Sequence, residues 1–257
     1  MDGIAPDLSL LMLTAASIGA VHTLLGPDHY LPFVALSKSA HWSTRRTVAI
    51  TSACGAGHVL SSIVIGMAGI AAGAAIERIV HIESWRGDIA AWLLLGFGLA
   101  YFAWGMKRAL RGETHAHSHV HADGTRHSHT HDHRLAPHVH PHTTEIETAQ
   151  SFTAVRAKPA AGAAAPWTLF IIFVLGPCEP LIPVLMYPAA HASWLAVVGV
   201  SAAFSLATIG TMLAVVLLIL RGLDAIGARA QALERWSPAL AGAALSACAA
   251  AILFLGL

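Results

Sequence analysis

The chain has 257 residues, of which 56% are hydrophobic and 11% are charged, and its mean hydropathy is +0.63. Soluble domains typically carry about 25% charged residues, so this composition excludes a soluble enzyme of this length. The formal net charge of +1 gives no reason to expect nucleic-acid binding. Three cysteines without paired spacing predict no disulfide framework. The composition therefore indicates an integral membrane protein that is not an enzyme.

Apolar stretches recur along the chain with about the 20 residues that a helix needs to cross the hydrocarbon core. The six stretches cover residues 8–25, with a weaker continuation to 36, and 47–75, 88–106, 166–187, 193–220 and 237–256. The first is not a signal peptide, because Asp2 and Asp7 precede it and no Lys or Arg does. We therefore expect an all-α, polytopic membrane protein with six transmembrane helices.

Basic residues are divided unequally between the two sides that six spans would create. Only Arg78 and Arg86, in the predicted loop 76–87, lie on the side of the termini, and the other thirteen Lys and Arg residues lie opposite. Cytoplasmic loops carry an excess of Lys and Arg. We expect a multi-pass protein of a bacterial cytoplasmic (inner) membrane, with both termini outside and the long loop 111–165 in the cytoplasm.

The two halves of the chain resemble each other at a fixed offset of 150 residues. Residues 24–43 and 174–193 are identical at eight of twenty ungapped positions. Because each half has three predicted spans, an odd number, the second half would be inverted relative to the first, as in many transporters. We predict a 3+3 inverted repeat, with three-helix repeats at 1–110 and 166–257 and a disordered, His-rich cytoplasmic loop at 111–165 between them.

A Gly-Pro pair interrupts an apolar run at the same place in each half. Proline lacks an amide donor and its ring clashes with the preceding turn, which predicts helix breaks at Gly26 and Pro27 and at Gly176 and Pro177. Broken backbone at membrane depth must line a cavity or be buried in protein. The alternative is a proline kink that only assists helix packing.

Ionisable residues and a cysteine lie close to these breaks. The candidate metal-binding residues are His22, Asp28, His29, His58, Cys178 and Glu179. A charged side chain near the bilayer centre costs about 3 kcal/mol, so we expect Asp28 and Glu179 to face one another or a shared cation. Imidazole suits late first-row divalent ions. A proton relay uses the same residue types and stays open as an alternative.

The long loop is unusually rich in histidine. Its candidate metal-binding residues are His115, His117, His119, His121, His127, His129, His131, His133, His138, His140 and His142. Such a segment has too little apolar surface to form a core, and His-rich tracts bind transition metals. We expect the loop to buffer, sense or deliver metal, with a pH sensor as the alternative.

Six spans, a His-Asp-His cluster in the first span and a long His-rich loop together resemble the nickel/cobalt permease superfamily. That grouping includes nickel/cobalt efflux permeases and related urease-accessory and sulfite-exporter-like membrane proteins. Its uptake branch carries His-x4-Asp-His, whereas this chain has His22-Thr-Leu-Leu-Gly-Pro-Asp28-His29, one residue longer. The resemblance implies metal binding by His22, Asp28 and His29, and the long loop is similar to that of efflux members.

The resulting hypothesis is a transporter that exports a divalent transition metal, nickel or cobalt with zinc as a third cargo, by alternating access. We expect no permanently bound cofactor in this transporter. Its expected partners are the metal ion and the lipid bilayer, and homo-oligomerisation is an open alternative. One alternative is a thiol-disulfide electron carrier, since Leu175-Gly-Pro-Cys178-Glu-Pro resembles the carriers of cytochrome c biogenesis, although Cys54 and Cys248 lie outside the motif. The other is a membrane accessory protein that delivers nickel to a metalloenzyme.

Overall fold

The computed structural model describes residues 8–111, 115–120, 126–131, 164–191, 193–226 and 235–255. In chain order its elements are α1 (Leu8–Leu25), a 3₁₀ turn (Pro27–His29), α2 (Leu31–Ser39), α3 (Thr44–Ala71), α4 (Ile76–Arg111), β1 (His115–Val120), β2 (Arg126–His131), α5 (Ala164–Leu175), α6 (Leu181–Ala190), α7 (Trp194–Ile226) and α8 (Ser237–Leu255). Apart from the short ribbon of β1 and β2, the described elements are helical, which confirms the all-α part of the predicted fold class.

Within the described ranges, five helices are long and apolar enough to cross a membrane, namely α1, α3, α4, α7 and α8. The predicted span 166–187 is instead divided between α5 and α6, which have 12 and 10 residues. Each of these two is shorter than the roughly 20 residues that one crossing requires. The long apolar helices indicate a multi-pass membrane protein.

The distribution of side chains is the reverse of that in a soluble protein. Leu195, Leu206 and Leu218 on α7 are 74%, 74% and 72% exposed, whereas Thr208 on the same helix is fully buried. Polar residues in membrane helices face the bundle interior, and exposed leucines suit contact with lipid tails. This arrangement agrees with a helix bundle in a bilayer.

Helices from the first half pack mainly against helices from the second half. α4 lies along α8, α1 lies along α7, and α3 packs against α5, α6 and α7. Small residues permit this close approach: a side chain at Gly105 of α4 would run into the backbone of Ala239 on α8. Likewise, a Cβ at Gly57 of α3 would meet Val174 Cγ2 of α5 at 2.8 Å.

Both predicted helix breaks are present. The first break, residues 26–30, separates α1 from α2, and the second break, residues 176–180, separates α5 from α6. In each case the helix ends at a leucine directly before Gly-Pro, because the proline cannot donate the next backbone hydrogen bond. The first break carries His29 into the interior of the bundle, whereas Glu179 of the second break is exposed.

The prediction that residues 76–87 form a loop is wrong, because α4 begins at Ile76 and passes through them. Glu83 is 0% exposed and Arg86 is 8% exposed. Their side chains form an ion pair within one turn of α4, and buried charges are tolerated when they are paired and hydrogen-bonded. The orientation argument counted Arg86 in an extramembrane loop, whereas the structure places it within helix α4.

Part of the His-rich segment 111–165 forms an antiparallel ribbon of β1 and β2. Its register places His115 opposite His131, His117 opposite His129 and His119 opposite His127. The alternation of histidine with other residues matches the two-residue period of a strand, so the expected lack of structure does not extend to these twelve residues. The other predicted loop ligands, His121, His133, His138, His140 and His142, lie outside the described residues.

Candidate metal centre

Three histidines from separate parts of the first half meet inside the bundle. His22 comes from α1, His29 from the first break and His58 from α3, and one potential ligand atom of each lies within 4.8 Å of the others. The ring centroids of His22 and His29 are 4.7 Å apart, and those of His29 and His58 are 5.1 Å apart. Among the described residues this is the group of His, Cys, Asp or Glu close enough to share a metal ion.

The same nitrogen of each ring is buried and lacks a hydrogen-bond partner. These atoms are His22 Nε2, His29 Nε2 and His58 Nε2. A buried polar atom left unsatisfied costs about 1–3 kcal/mol, so three adjacent ones are unfavourable unless a ligand satisfies them. A metal ion accepts the lone pairs of several imidazoles at once.

Hydrogen bonds on the opposite side of two rings determine which nitrogen carries the proton. His29 Nδ1 lies 3.0 Å from Asp28 Oδ1 and 3.2 Å from the Gly26 carbonyl, and His58 Nδ1 lies 3.3 Å from the Phe173 carbonyl. All three partners accept only, so Nδ1 must donate in both histidines. Nε2 of each ring then presents a lone pair toward the cluster, as in the carboxylate–histidine–metal arrangement of many metal sites.

The first break, rather than a shared helix face, brings His22 and His29 together. Seven residues separate them, and a continuous helix would place them two turns apart. Instead α1 ends at Leu25 and the chain turns at Gly26, whose amide donates to the His22 carbonyl at 3.0 Å. A Cβ at Gly26 would lie 2.6 Å from His29 Nδ1 and 2.7 Å from Asp28 Oδ1. Glycine is therefore needed for the Asp28–His29 hydrogen bond to form.

Four of the six residues that the sequence singled out contribute to this cluster or contact it. His22, His29 and His58 form it, and Asp28 contacts His29. Cys178 and Glu179 do not belong to it: Cys178 is fully buried in an apolar cluster with Ala15 and Val59, and Glu179 is exposed. The expected pairing of Asp28 with Glu179 around one cation has no counterpart in this three-histidine cluster.

A buried ion pair on α4, which sequence reasoning missed, bonds to the second break. Glu83 Oε2 accepts from Ser62 Oγ at 2.8 Å and from the Cys178 amide at 3.2 Å. Arg86 donates to Glu83, to the Val174 carbonyl at 2.8 Å and to the Gly176 carbonyl at 3.3 Å. The spacing of Glu83 and Arg86, three residues apart at the start of an apolar run, was the available signal.

The cluster suits a cation that prefers nitrogen ligands. Tetrahedral ligands about 2.0–2.1 Å from a zinc ion lie roughly 3.4 Å apart, and the potential ligand atoms of the three rings lie within 4.8 Å of one another, so a small rotation of the rings would bring them to that spacing. Three neutral imidazoles would leave at least one position open on a four-coordinate ion. The Asp28 carboxylate supplies negative charge next to His29.

Comparison of the chain with protein-family models, curated proteins and solved structures gives no match. The fold and the site define a helical, multi-pass membrane protein with a buried cluster of three histidines. Inference about its function therefore starts from the geometry of that cluster.

Proposed function

We propose that the protein is a membrane transporter of a divalent transition metal, nickel or cobalt, and that His22, His29 and His58 bind the ion during transport. The observation that carries this proposal is the convergence of three buried Nε2 atoms without hydrogen-bond partners. Late first-row divalent ions favour imidazole, and zinc is the third cargo on the same grounds.

Asp28 would act on the ion through His29. Its carboxylate accepts the Nδ1 proton at 3.0 Å, which makes the ring a better donor to the metal and offsets part of the positive charge in the bilayer. We leave Cys178 and Glu179 out of the ligand set, because the Cys178 side chain lies in an apolar cluster and Glu179 is exposed.

Transport by alternating access would follow from a 3+3 inverted repeat, which we propose with α5, the second break and α6 together as the fourth span. The packing supports it, because the contacts are reciprocal between the halves. α1 packs on α7 while α3 packs on α5, which are equivalent pairs under exchange of the two repeats, and α4 packs on its equivalent, α8. Rocking of one repeat against the other would expose the histidines to each side in turn.

Export is the proposed direction, with the His-rich segment in the bacterial cytoplasm. Three in-register pairs of histidines in β1 and β2 provide a place where cytoplasmic metal can be collected before transport. A role as a thiol-disulfide carrier has less support, since Cys54, Cys178 and Cys248 are all free and buried.

The experiment is uptake of ⁶³Ni²⁺ and ⁵⁷Co²⁺ into inside-out vesicles that contain the wild-type protein, His58→Ala or His191→Ala. His191 is the matched control, because it is an exposed histidine at the end of α6. We expect transport by the wild type and by His191→Ala, and none by His58→Ala.

Equal accumulation in wild-type and empty vesicles would overturn transport of these ions. If flux is absent but a nickel enzyme in the same cells loses activity without the protein and regains it with excess nickel, the protein is a metal-delivery accessory. A redox-active disulfide that involves Cys178 would instead identify a thiol carrier.

A further inference from the structure

The second break leaves backbone groups without their helical partners. Pro177 has no amide to donate to the Phe173 carbonyl, and the Cys178 amide, which would bond the Val174 carbonyl in a continuous helix, points elsewhere. At membrane depth no water is available to satisfy such groups, so each needs a partner within the protein.

Side chains from α3 and α4 bond to each of these groups. The Cys178 amide donates to Glu83 Oε2 and to Ser62 Oγ, both at 3.2 Å, and the Val174 carbonyl accepts from Arg86 at 2.8 Å. The Phe173 carbonyl accepts from His58 Nδ1 at 3.3 Å and, within the turn, from the Gly176 amide at 3.1 Å. The ion pair and a metal-site histidine therefore hold the same broken turn.

Arg86 is connected to His58 by two short routes. One runs through the end of α5, where Arg86 donates to the carbonyls of Val174 and Gly176, and the Gly176 amide in turn donates to the Phe173 carbonyl at 3.1 Å. The other runs through Ser61, whose hydroxyl accepts from Arg86 and donates to the His58 backbone carbonyl, both at 2.8 Å. Gly176 also lies close to His58, since a Cβ built on Gly176 would be 3.3 Å from His58 Nδ1.

We propose that Arg86, held by Glu83, is a positioning residue for the metal site: it places the Phe173 carbonyl so that His58 carries its proton on Nδ1 and offers Nε2 to the ion. The expected effect on metal affinity rests on the proposed function. The expected tautomer of His58 does not. The planar guanidinium is required, because it bonds the carboxylate and the backbone carbonyls simultaneously, which a Lys ammonium does not do in the same geometry.

The alternative is that Arg86 only neutralises the buried Glu83. Removal of one member of a buried pair is strongly destabilising, whereas removal of both charges is often tolerated. The double variant Glu83→Gln/Arg86→Gln therefore distinguishes charge compensation from positioning. It also allows the test to be made if Arg86→Gln alone does not fold. Arg78→Gln is the matched control, because Arg78 is an exposed arginine on the same helix.

The experiment uses the full chain purified in detergent, with Co²⁺ as the probe and its d–d absorption as the readout. Monodisperse elution and thermal melting identify the folded variants. We expect Glu83→Gln/Arg86→Gln, and Arg86→Gln where it folds, to bind Co²⁺ about 10–100-fold more weakly and with altered d–d bands. Arg78→Gln should match the wild type.

The ¹⁵N NMR signals of labelled histidine supply a second readout that needs no metal. We expect His58 to be protonated on Nδ1 in the wild type and to become a mixture of tautomers in the double variant. Wild-type Co²⁺ bands and an unchanged His58 signal in that variant would overturn the positioning role. If no protein binds Co²⁺ but the tautomer changes, the proposed function fails and the positioning role stands.

Discussion

The two helix breaks share a Gly-Pro turn but satisfy their polar groups in opposite ways. At the second break, Glu83 and Arg86 take up the free amide of Cys178 and the free carbonyls of Val174 and Gly176. At the first break, His29 bonds Asp28 and Gly26 through Nδ1 and leaves Nε2 unpartnered beside the other two histidines.

This difference supports a structural role for the second break and the proposed ligand site at the first. The ion pair at the second break is internally neutral, since Glu83 and Arg86 bond each other and the backbone. At the first break three unpartnered Nε2 atoms meet, which an external cation could satisfy together. At the offset of 150 residues, His22, Asp28, His29 and His58 correspond to Ile172, Cys178, Glu179 and Thr208. The second half therefore has no histidine at these equivalent positions, and the proposed site belongs to the first half of the chain.

The largest difference is expected between substitutions of His29 and Glu179, the second residues of the pairs Asp28-His29 and Cys178-Glu179. His29→Ala removes one of three proposed ligands, and we expect it to abolish Co²⁺ and Ni²⁺ binding at the three-histidine cluster at micromolar concentrations, while binding by the His-rich loop persists. Glu179→Ala removes an exposed carboxylate outside the cluster and should leave affinity unchanged. Isothermal titration of the purified variants measures both. Loss of binding in Glu179→Ala would show that the two breaks share one site.

The next comparison is between substitutions of Asp28 and Cys178, which correspond to each other at the offset of 150 residues. Asp28→Asn removes the negative charge next to His29 Nδ1, and outer-shell changes of this kind weaken metal binding about 10–100-fold. Cys178→Ala should leave the dissociation constant unchanged, because the thiol lies among apolar side chains. The same titration tests both variants, and wild-type affinity in Asp28→Asn would contradict the role assigned to the carboxylate.

The two glycines should respond unequally to an added methyl group. At Gly26 a Cβ would lie 2.6 Å from His29 Nδ1, a separation that real Cβ atoms do not tolerate, whereas at Gly176 the nearest atoms are 3.3 Å away. We expect Gly26→Ala to weaken Co²⁺ binding and shift its d–d bands, and Gly176→Ala to do so by a smaller factor. Equal effects would indicate that the first break rearranges freely.

The smallest effect is expected for alkylation of the Cys178 thiol at the second break. Cys178 is fully buried and free in the structure, and a buried thiol in apolar surroundings is inert. We expect maleimide to label Cys178 in the native membrane far more slowly than in denaturant, as judged by mass spectrometry. Rapid native labelling that is lost after oxidation would favour thiol-disulfide chemistry at the second break.

Sequence patterns were sufficient for the helical fold class, for both breaks and for the histidines of the site. They failed where a contact depends on the path of the chain. Asp28 and Glu179 were paired because they follow equivalent breaks, yet Glu179 is exposed, and the buried acid at the second break is Glu83 of α4. Glu83 was missed because residues 76–87 were predicted to form a loop. Charged residues at the start of an apolar stretch are usually interpreted as the end of the membrane span.

Hydropathy and proline chemistry are local, so the amino-acid sequence alone determined that this chain forms apolar helices and where two of those helices stop. The tertiary structure decided which polar side chains reach each interruption. Hydrogen-bonding groups in a water-free interior must find partners, and the partners here come from other helices: Arg86 and Glu83 complete one turn, while His22 and His58 join His29 at the other.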